Sequence, residues 1–348
     1  MKKINSISKN VNNQIKIGLI ARADNSGLGT LSRSFYNHLP ISKVLLVQND
    51  TYPIDPTLYK DPIICERGIP SLEEIKEFLR DLDLVITFET PYNWNLFSEA
   101  RKRGVKTILV PNYEWLPQTL PVVPDLFLCP SKLDYDEVKN NTVTVSKVAY
   151  LPIPIDDELI PYKAREKAEV FLFNNGHGGH MGRNSARELF EAISLVKEDV
   201  KFKIHSQVYF DSVINDSRVE IVYGEVPYGE LFQDGDVFLH PHKFDGLSLP
   251  IQEALLAGMP VVSTDIYPHN EYLPKDWLFK PEAITRIYVK REIDMAIINP
   301  VTLAEKITEW AHRDIKKESE KARKIGEQFL WKKLKPKYLE VFQSLCQK

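Results

Sequence analysis

Cysteine is scarce in this chain of 348 residues: there are three, Cys65, Cys129 and Cys346, and nothing in their spacing suggests a pair. That excludes a disulfide scaffold and predicts a reducing, cytoplasmic setting. No apolar run approaches the ~20 residues needed to cross a bilayer. Any membrane contact is therefore expected to be peripheral, at the inner membrane face. Residues 1–14 are polar and have no apolar core, so no signal peptide is expected. An excess of one charge sign is also missing. With 45 Lys and Arg against 48 Asp and Glu, the net charge is −3 and the positives are scattered. This excludes a basic field for nucleic acid. Low-complexity tracts are absent, and the one internal similarity is between two halves of the chain.

What is present suits two packed domains: a hydrophobic content of 43% over a length generous for one core. The chain is organised around residues 237–265, VFLHPHKFDGLSLPIQEALLAGMPVVSTD. An apolar run, Val237 to Leu239, leads into a turn-rich loop. Ser248 is expected to cap the following helix, Pro250 suits its first turn, and Gly258 and Pro260 stop it. A β-branched run, Val261 to Thr264, follows at once. So short a crossover implies parallel strands, with the loop at their carboxyl ends, where open α/β sheets bind ligands. Amides of Gly246, Leu247, Ser248 and Leu249 at a helix N-terminus attract phosphate. Asp245 and Glu253 flank that anion site and would repel phosphate themselves, so they are expected to accept hydrogen bonds from hydroxyls on either side of it. A nucleotide sugar has that layout. Alone, Asp245 also suits a turn and Glu253 a helix dipole; the whole string is what points to a ligand.

The string from Asp245 to Ala254, ending in Gly258-Met-Pro-Val-Val, resembles the two-acid signature of retaining GT-B glycosyltransferases, family 4 in particular, with Asp245 where the first Glu usually stands. The resemblance implies two Rossmann-like domains facing a central cleft. It implies that Glu253 holds the donor ribose, and that Asp245 and the amides after it hold the transferred sugar and diphosphate. Other stretches extend it. Gly27, Leu28 and Gly29, after the strand Ile15 to Ala21, resemble the glycine loop near the donor diphosphate and the acceptor. Gly224 and Glu225 lie where the family contacts the nucleotide base. Residues 149–156, rich in proline, resemble the interdomain linker, and residues 329–338 the terminal helix that crosses back to the first domain.

Other candidates come from position. Glu89, before Tyr92 and Trp94, and Asn112 with Glu114, before Trp115, lie at carboxyl edges of the strands Leu84 to Phe88 and Thr107 to Val110. Both mix aromatics with an acid, as sugar recognition often requires, and both equally suit ordinary loop packing. Leu126 to Cys129 reads as the last strand of the first domain. Gly182 and Arg183 close a second glycine-rich turn before a helix from Ser185 to Val196. Arginine there supplies a fixed fork of donors for diphosphate. His177 and His180 in that turn could supplement it, with zinc as the lesser reading. Residues 228–232, 302–312 and 318–330 read as helices.

The expected organisation is therefore an acceptor-side domain over 1–152, a nucleotide-sugar domain over 153–328 and a returning helix over 329–348. The expected activity is glycan-building transfer from a nucleotide-diphosphate sugar to a glycan, lipid-linked or small-molecule acceptor, with retention of configuration. Arg183, Asp245 and Glu253 are the expected catalytic residues. Sugar-nucleotide epimerisation and non-catalytic binding are the alternatives. No cofactor is expected, and no metal. Three Asp pairs are spaced by one residue: Asp81 with Asp83 and Asp234 with Asp236, at the amino edge, and Asp134 with Asp136, whose position at the start of a helix is explained by the dipole alone.

Overall fold

Runs such as Ile17–Ala21 and Val237–His240 are buried at every position, as strands covered on both faces must be. The computed structural model describes residues 15–48, 54–141, 146–176, 178–179, 182–211 and 214–347. His177 and His180 lie outside them.

The first sheet is built from β1 (Ile17–Ala21), β2 (Ile41–Val47), β3 (Ile63–Cys65), β4 (Leu84–Glu89), β5 (Lys106–Pro111), β6 (Leu126–Cys129) and β7 (Lys147–Tyr150). Its order is β3-β2-β1-β4-β5-β6-β7, with every pairing parallel. The second is built from β8 (Val170–Asn175), β9 (Lys201–Ser206), β10 (Val219–Tyr223), β11 (Val237–His240), β12 (Val261–Thr264) and β13 (Leu278–Phe279), in the order β10-β9-β8-β11-β12-β13, again parallel. Both are doubly wound α/β sheets, and each has its switch point beside its first strand. The helices α1 (Gly27–His38), α2 (Leu72–Phe78), α3 (Asn95–Lys102) and α4 (Lys132–Asn141) belong to the first half. Those of the second half are α5 (Ala186–Leu195), α6 (Leu249–Leu256), α7 (His269–Tyr272), α8 (Pro300–Trp310) and α9 (Lys316–Gly326).

A last helix, α10 (Trp331–Cys346), returns to the first half. Its Trp331, Leu334, Tyr338, Phe342 and Leu345 join the apolar cluster around β1 and α1. Trp331 meets Phe35 edge-on with centroids 5.1 Å apart, and its Nε1 donates to Ser34 Oγ at 2.7 Å. The chain thus passes between the halves twice, and the two passages touch. Ile155 N–H donates to Phe329 O at 2.8 Å, and Ile155 forms a parallel bridge with Leu330.

Three sequence expectations need correction. Leu126–Cys129 is not the last strand of its sheet: β7 adds an edge, half exposed and therefore weakly patterned. Residues 228–232 hold only a 3-10 turn, Tyr228–Glu230, since Pro227 and Gly229 leave too little helix propensity. The helix expected over 318–330 stops at Gly326. Among the elements the sequence reading did not anticipate is an antiparallel hairpin of β14 (Ala283–Tyr288) and β15 (Glu292–Ile297). It reaches from the second half to the first. Arg291 at its turn is buried over the Tyr113 ring, 4.1 Å from its centroid, and donates to Leu116 O at 2.9 Å and Pro117 O at 2.8 Å.

Candidate active site

The carboxyl ends of the two sheets face each other across a cavity of about 550 Å³. The first half lines it with Asn25, Gly27 and Arg33, and the second with Asn175, Gly176, Gly224, Glu225, Tyr228 and Glu253. The halves touch at its rim, where Asn25 Nδ2 donates to both Glu225 carboxylate oxygens at 2.9 Å.

Of the glycine loop, only Gly27 faces the cavity. Leu28 packs on the first-half core. Gly29 lies so close to the Asp24 backbone that any Cβ would overlap it, which keeps the turn tight where Ser26 caps α1 by accepting from Gly29 N–H at 3.2 Å.

Glu253, on α6, is buried and accepts from Tyr228 OH at 2.5 Å. Burial pushes its pKa up to about 7, and the tyrosine bond lowers it by less. Gly224 holds φ at 100° after β10, a conformation that favours glycine. Leu247 and Leu249 cross the interface and pack against the first-half core.

Outside the residues that line this cavity, Gly246 is pressed against the first half. A Cβ there would overlap Asn112 Oδ1 and crowd the Glu114 carboxylate. Glu114 is buried, and desolvation pushes its pKa up to about 8 even though Arg183 opposes the shift. Arg183 Nη1 is 4.0 Å from Glu114 Oε1. Desolvation also raises Glu89, against the Asn112 side chain and the charges of Arg22 and Arg183. Asn112 Oδ1, Glu114 Oε1 and Arg183 Nε are buried without hydrogen-bond partners. Buried polar groups are normally paired, so this cluster is suited to a polar ligand. Left-handed backbone gathers around it, at Glu89 (φ 61°), Tyr92 (57°), Ser185 (57°) and Ser248 (51°); such strain concentrates at functional sites. Gly182, at φ 65°, turns the chain into Arg183.

Two expectations change here. Ser248 does not cap α6 with its side chain; its left-handed backbone turns the hydroxyl back, and Oγ donates to Asp245 Oδ2 at 3.0 Å. Asp134 does more than serve a helix dipole. It is fully buried, accepts from Tyr113 N–H at 2.9 Å and Ser131 Oγ, and so anchors the turn bearing Glu114. Asp83 and Asp236 do sit at the amino edge, accepting from backbone amides of Lys16 and Val170.

Asp245 itself is turned inward. Its Oδ1 accepts from Gly246 N–H at 2.9 Å, and Oδ2 lies 3.1 Å from His240 Nε2, 3.2 Å from His242 Nδ1 and 3.6 Å from His269 Nε2. Ligand-type atoms of His240, His242 and Asp245 all lie within 4.8 Å of one another. These histidines belong neither to the acid pairs nor to the glycine turn that the sequence offers as metal ligands. The His-Pro-His spacing just before Asp245 was the available signal.

Solved structures share this two-sheet fold. HepE from Anabaena, in complex with UDP and glucose, superposes with a TM-score of 0.68 at 13% identity over 95% of this chain and 100% of that one. Sucrose-phosphate synthase from Thermosynechococcus elongatus gives 0.64 at 12% identity, over 95% and 99%. The fold is GT-B. The catalytic domain of starch synthase IV from Arabidopsis thaliana, bound to ADP and acarbose, matches this GT-B chain at 0.58 with 10% identity, over 97% and 100%. A family model, glycosyl transferases group 1, matches residues 176–290, which include Arg183, Asp245, Glu253 and the three clustered histidines. Comparison with curated proteins finds no match by sequence.

Proposed function

We propose that this GT-B chain is a glycosyltransferase that moves a sugar from a nucleoside-diphosphate sugar to an acceptor hydroxyl, with retention of configuration. Two observations carry the reading: the buried carboxylate of Glu253 lines the cavity between the halves, and where the halves also meet, at Gly246, Asn112 Oδ1, Glu114 Oε1 and Arg183 Nε are buried without hydrogen-bond partners. Glu253 accepts the ribose hydroxyls, and Gly224 and Glu225 border the base. The amides of residues 246–249 and Arg183 meet the diphosphate, whose negative charge grows as the bond from sugar C1 to phosphate oxygen breaks. The acceptor hydroxyl attacks C1 from the same face, and its proton passes to the departing phosphate oxygen. Glu89, Asn112 and Glu114 bind the sugar and acceptor from the first half. Asp245 shapes the loop that carries the amides.

In this reading residues 1–152 serve the acceptor and 153–328 the donor, while 329–348 tie them together. Cationic side chains and helix N-termini meet the phosphate charge, so no magnesium or manganese bridges it. The free cysteines suit a cytoplasmic enzyme. Among the described residues no helix is long and apolar enough to cross a membrane. First-half groups in the cleft favour transfer over single-substrate epimerisation.

Incubation with a panel of nucleotide sugars tests the activity. Release of nucleoside diphosphate, by transfer or slow hydrolysis, is the expected result; binding without release refutes it. An inverted linkage in the product's NMR spectrum, or activity lost to a chelator and restored only by magnesium or manganese, refutes the finer claims.

A further inference from the structure

Resting on the donor assignment above, we propose that Arg33 of α1 binds the phosphate that adjoins the donor ribose. The first half would then hold that charge while Glu253 holds the ribose from the second. Among the described residues that line the cavity of about 550 Å³, Arg33 is the sole arginine, and no lysine joins it. Arg183 is not one of them. His205 also lines the cavity, but burial first, and then the charge of Lys203, hold its pKa below the usual value, so it is neutral at neutral pH.

A guanidinium carries five N–H donors, and those of Arg33 are barely used. Its Nη2 donates to Thr30 Oγ1, one turn back on α1, at 3.4 Å. The carboxylates on the walls are engaged elsewhere. Glu253 accepts from Tyr228 OH, and both oxygens of Glu225 accept from Asn25. Arg33 and Glu253 also line a smaller adjoining cavity of about 250 Å³, where the other carboxylate, Asp156, lies 2.9 Å from His38 Nε2. None of the three pairs with Arg33. Two phenols near enough to feel its charge, Tyr59 and Tyr228, give their protons to the Arg22 carbonyl and to Glu253. A half-buried cation without a counter-ion is costly, and a ligand anion relieves that cost.

The order of groups in a nucleoside diphosphate says which anion it is. The first phosphate hangs directly from the ribose, and Arg33 shares both cavities with the carboxylate assigned to that ribose. The planar fork of arginine takes two phosphate oxygens at once. Arg183 and the amides of residues 246–249 are left for the second phosphate, the leaving group. An acidic acceptor, the other source of an anion, would enter beyond that second phosphate, at the end of the donor away from Glu253.

Calorimetric titration of wild type and Arg33→Gln with nucleoside, nucleoside monophosphate and nucleoside diphosphate reads the contact. The uridine, adenosine, guanosine, cytidine and thymidine series are each used. For the series that binds, the variant should lose about 10- to 100-fold in Kd for the monophosphate and as much for the diphosphate, but less than about twofold for the nucleoside. Arg33→Lys keeps the charge without the fork and should recover part of the loss. Circular dichroism confirms that each variant is folded. Unchanged nucleotide affinity in Arg33→Gln overturns the proposal, and a simultaneous fall in transfer to an acidic acceptor would give the anion to the acceptor. A loss confined to the diphosphate overturns it by moving the contact to the second phosphate. An equal loss with the nucleoside overturns it by making Arg33 structural. A wild-type chain that binds no nucleotide of any series defeats the donor reading itself, whereas these other outcomes defeat the role of Arg33 alone.

Discussion

Glu253 offers the sharpest test of the donor assignment. The residue is 6% exposed, and burial lifts its pKa from 4.5 to about 7 against the Tyr228 hydrogen bond. Ionising it in the empty cleft therefore costs on the order of 3 kcal/mol, at ~1.4 kcal/mol per pH unit. The folded chain holds this proton more tightly than the unfolded chain does. The resulting stability is fully present below the unfolded value of 4.5 and is lost as pH rises through about 7. Glu253→Gln removes the titration. The variant should melt above the wild type at about pH 8, with the gap closing toward about pH 5. Nucleotide binding should respond in the opposite sense, because ribose hydroxyls donate best to an ionised carboxylate. Wild-type affinity for UDP or ADP should rise between about pH 6 and pH 8. At the upper pH the variant should lose about 1–3 kcal/mol, roughly 5- to 150-fold in Kd. Calorimetric titration measures this directly. Equal affinity of variant and wild type at the higher pH would refute the ribose assignment, and a variant no more stable there would refute the buried-acid argument.

Arg183→Lys keeps the charge but loses the planar fork, and should slow turnover by about 10- to 100-fold with a smaller change in donor KM; steady-state kinetics with unchanged kcat would return Arg183 to a structural role. Gly246→Ala should push the halves apart at Asn112, costing about 1–3 kcal/mol by overpacking and most of the activity. Wild-type melting and turnover in that variant would show that the contact yields freely. Arg291→Ala empties a buried site on the first half and should lower the melting temperature by several degrees, and limited proteolysis should then cut the hairpin between β14 and β15 first. A hairpin as resistant as the wild type would contradict the clamp.

The alternation of strands and helices was legible because each run carries its own local signal: β11, α6 and β12 follow one another with a glycine and a proline as punctuation. β14 and β15 were not, because their faces are largely exposed and mix charges with isoleucines. What holds them is Arg291 in a distant pocket, and no local pattern encodes that. The site divides the same way. The Glu253 side chain reaches the cavity as its helical position suggests, while the Tyr113 amide on Asp134 and His269 beside Asp245 are groups that only folding brings near. A side chain as short as aspartate reaches whichever partners the backbone presents. For Asp245 these are His240 and His242 from the stretch just before it and His269 from α7.

The two passages between the halves have a mechanical consequence. Two bodies joined by one flexible strand can swing, twist and slide independently. Here the linker at Ile155 and the return at Leu330 run side by side and share a hydrogen bond, so together they form a short ribbon, stiff across its width. Such a ribbon acts as a hinge pin: the second half can rotate about it, while sliding would tear the shared bond. Opening the cleft to admit a large substrate is then close to a one-parameter motion. Opening about the pin must part the rim contact between Asn25 and Glu225 and release Arg291 from the first half.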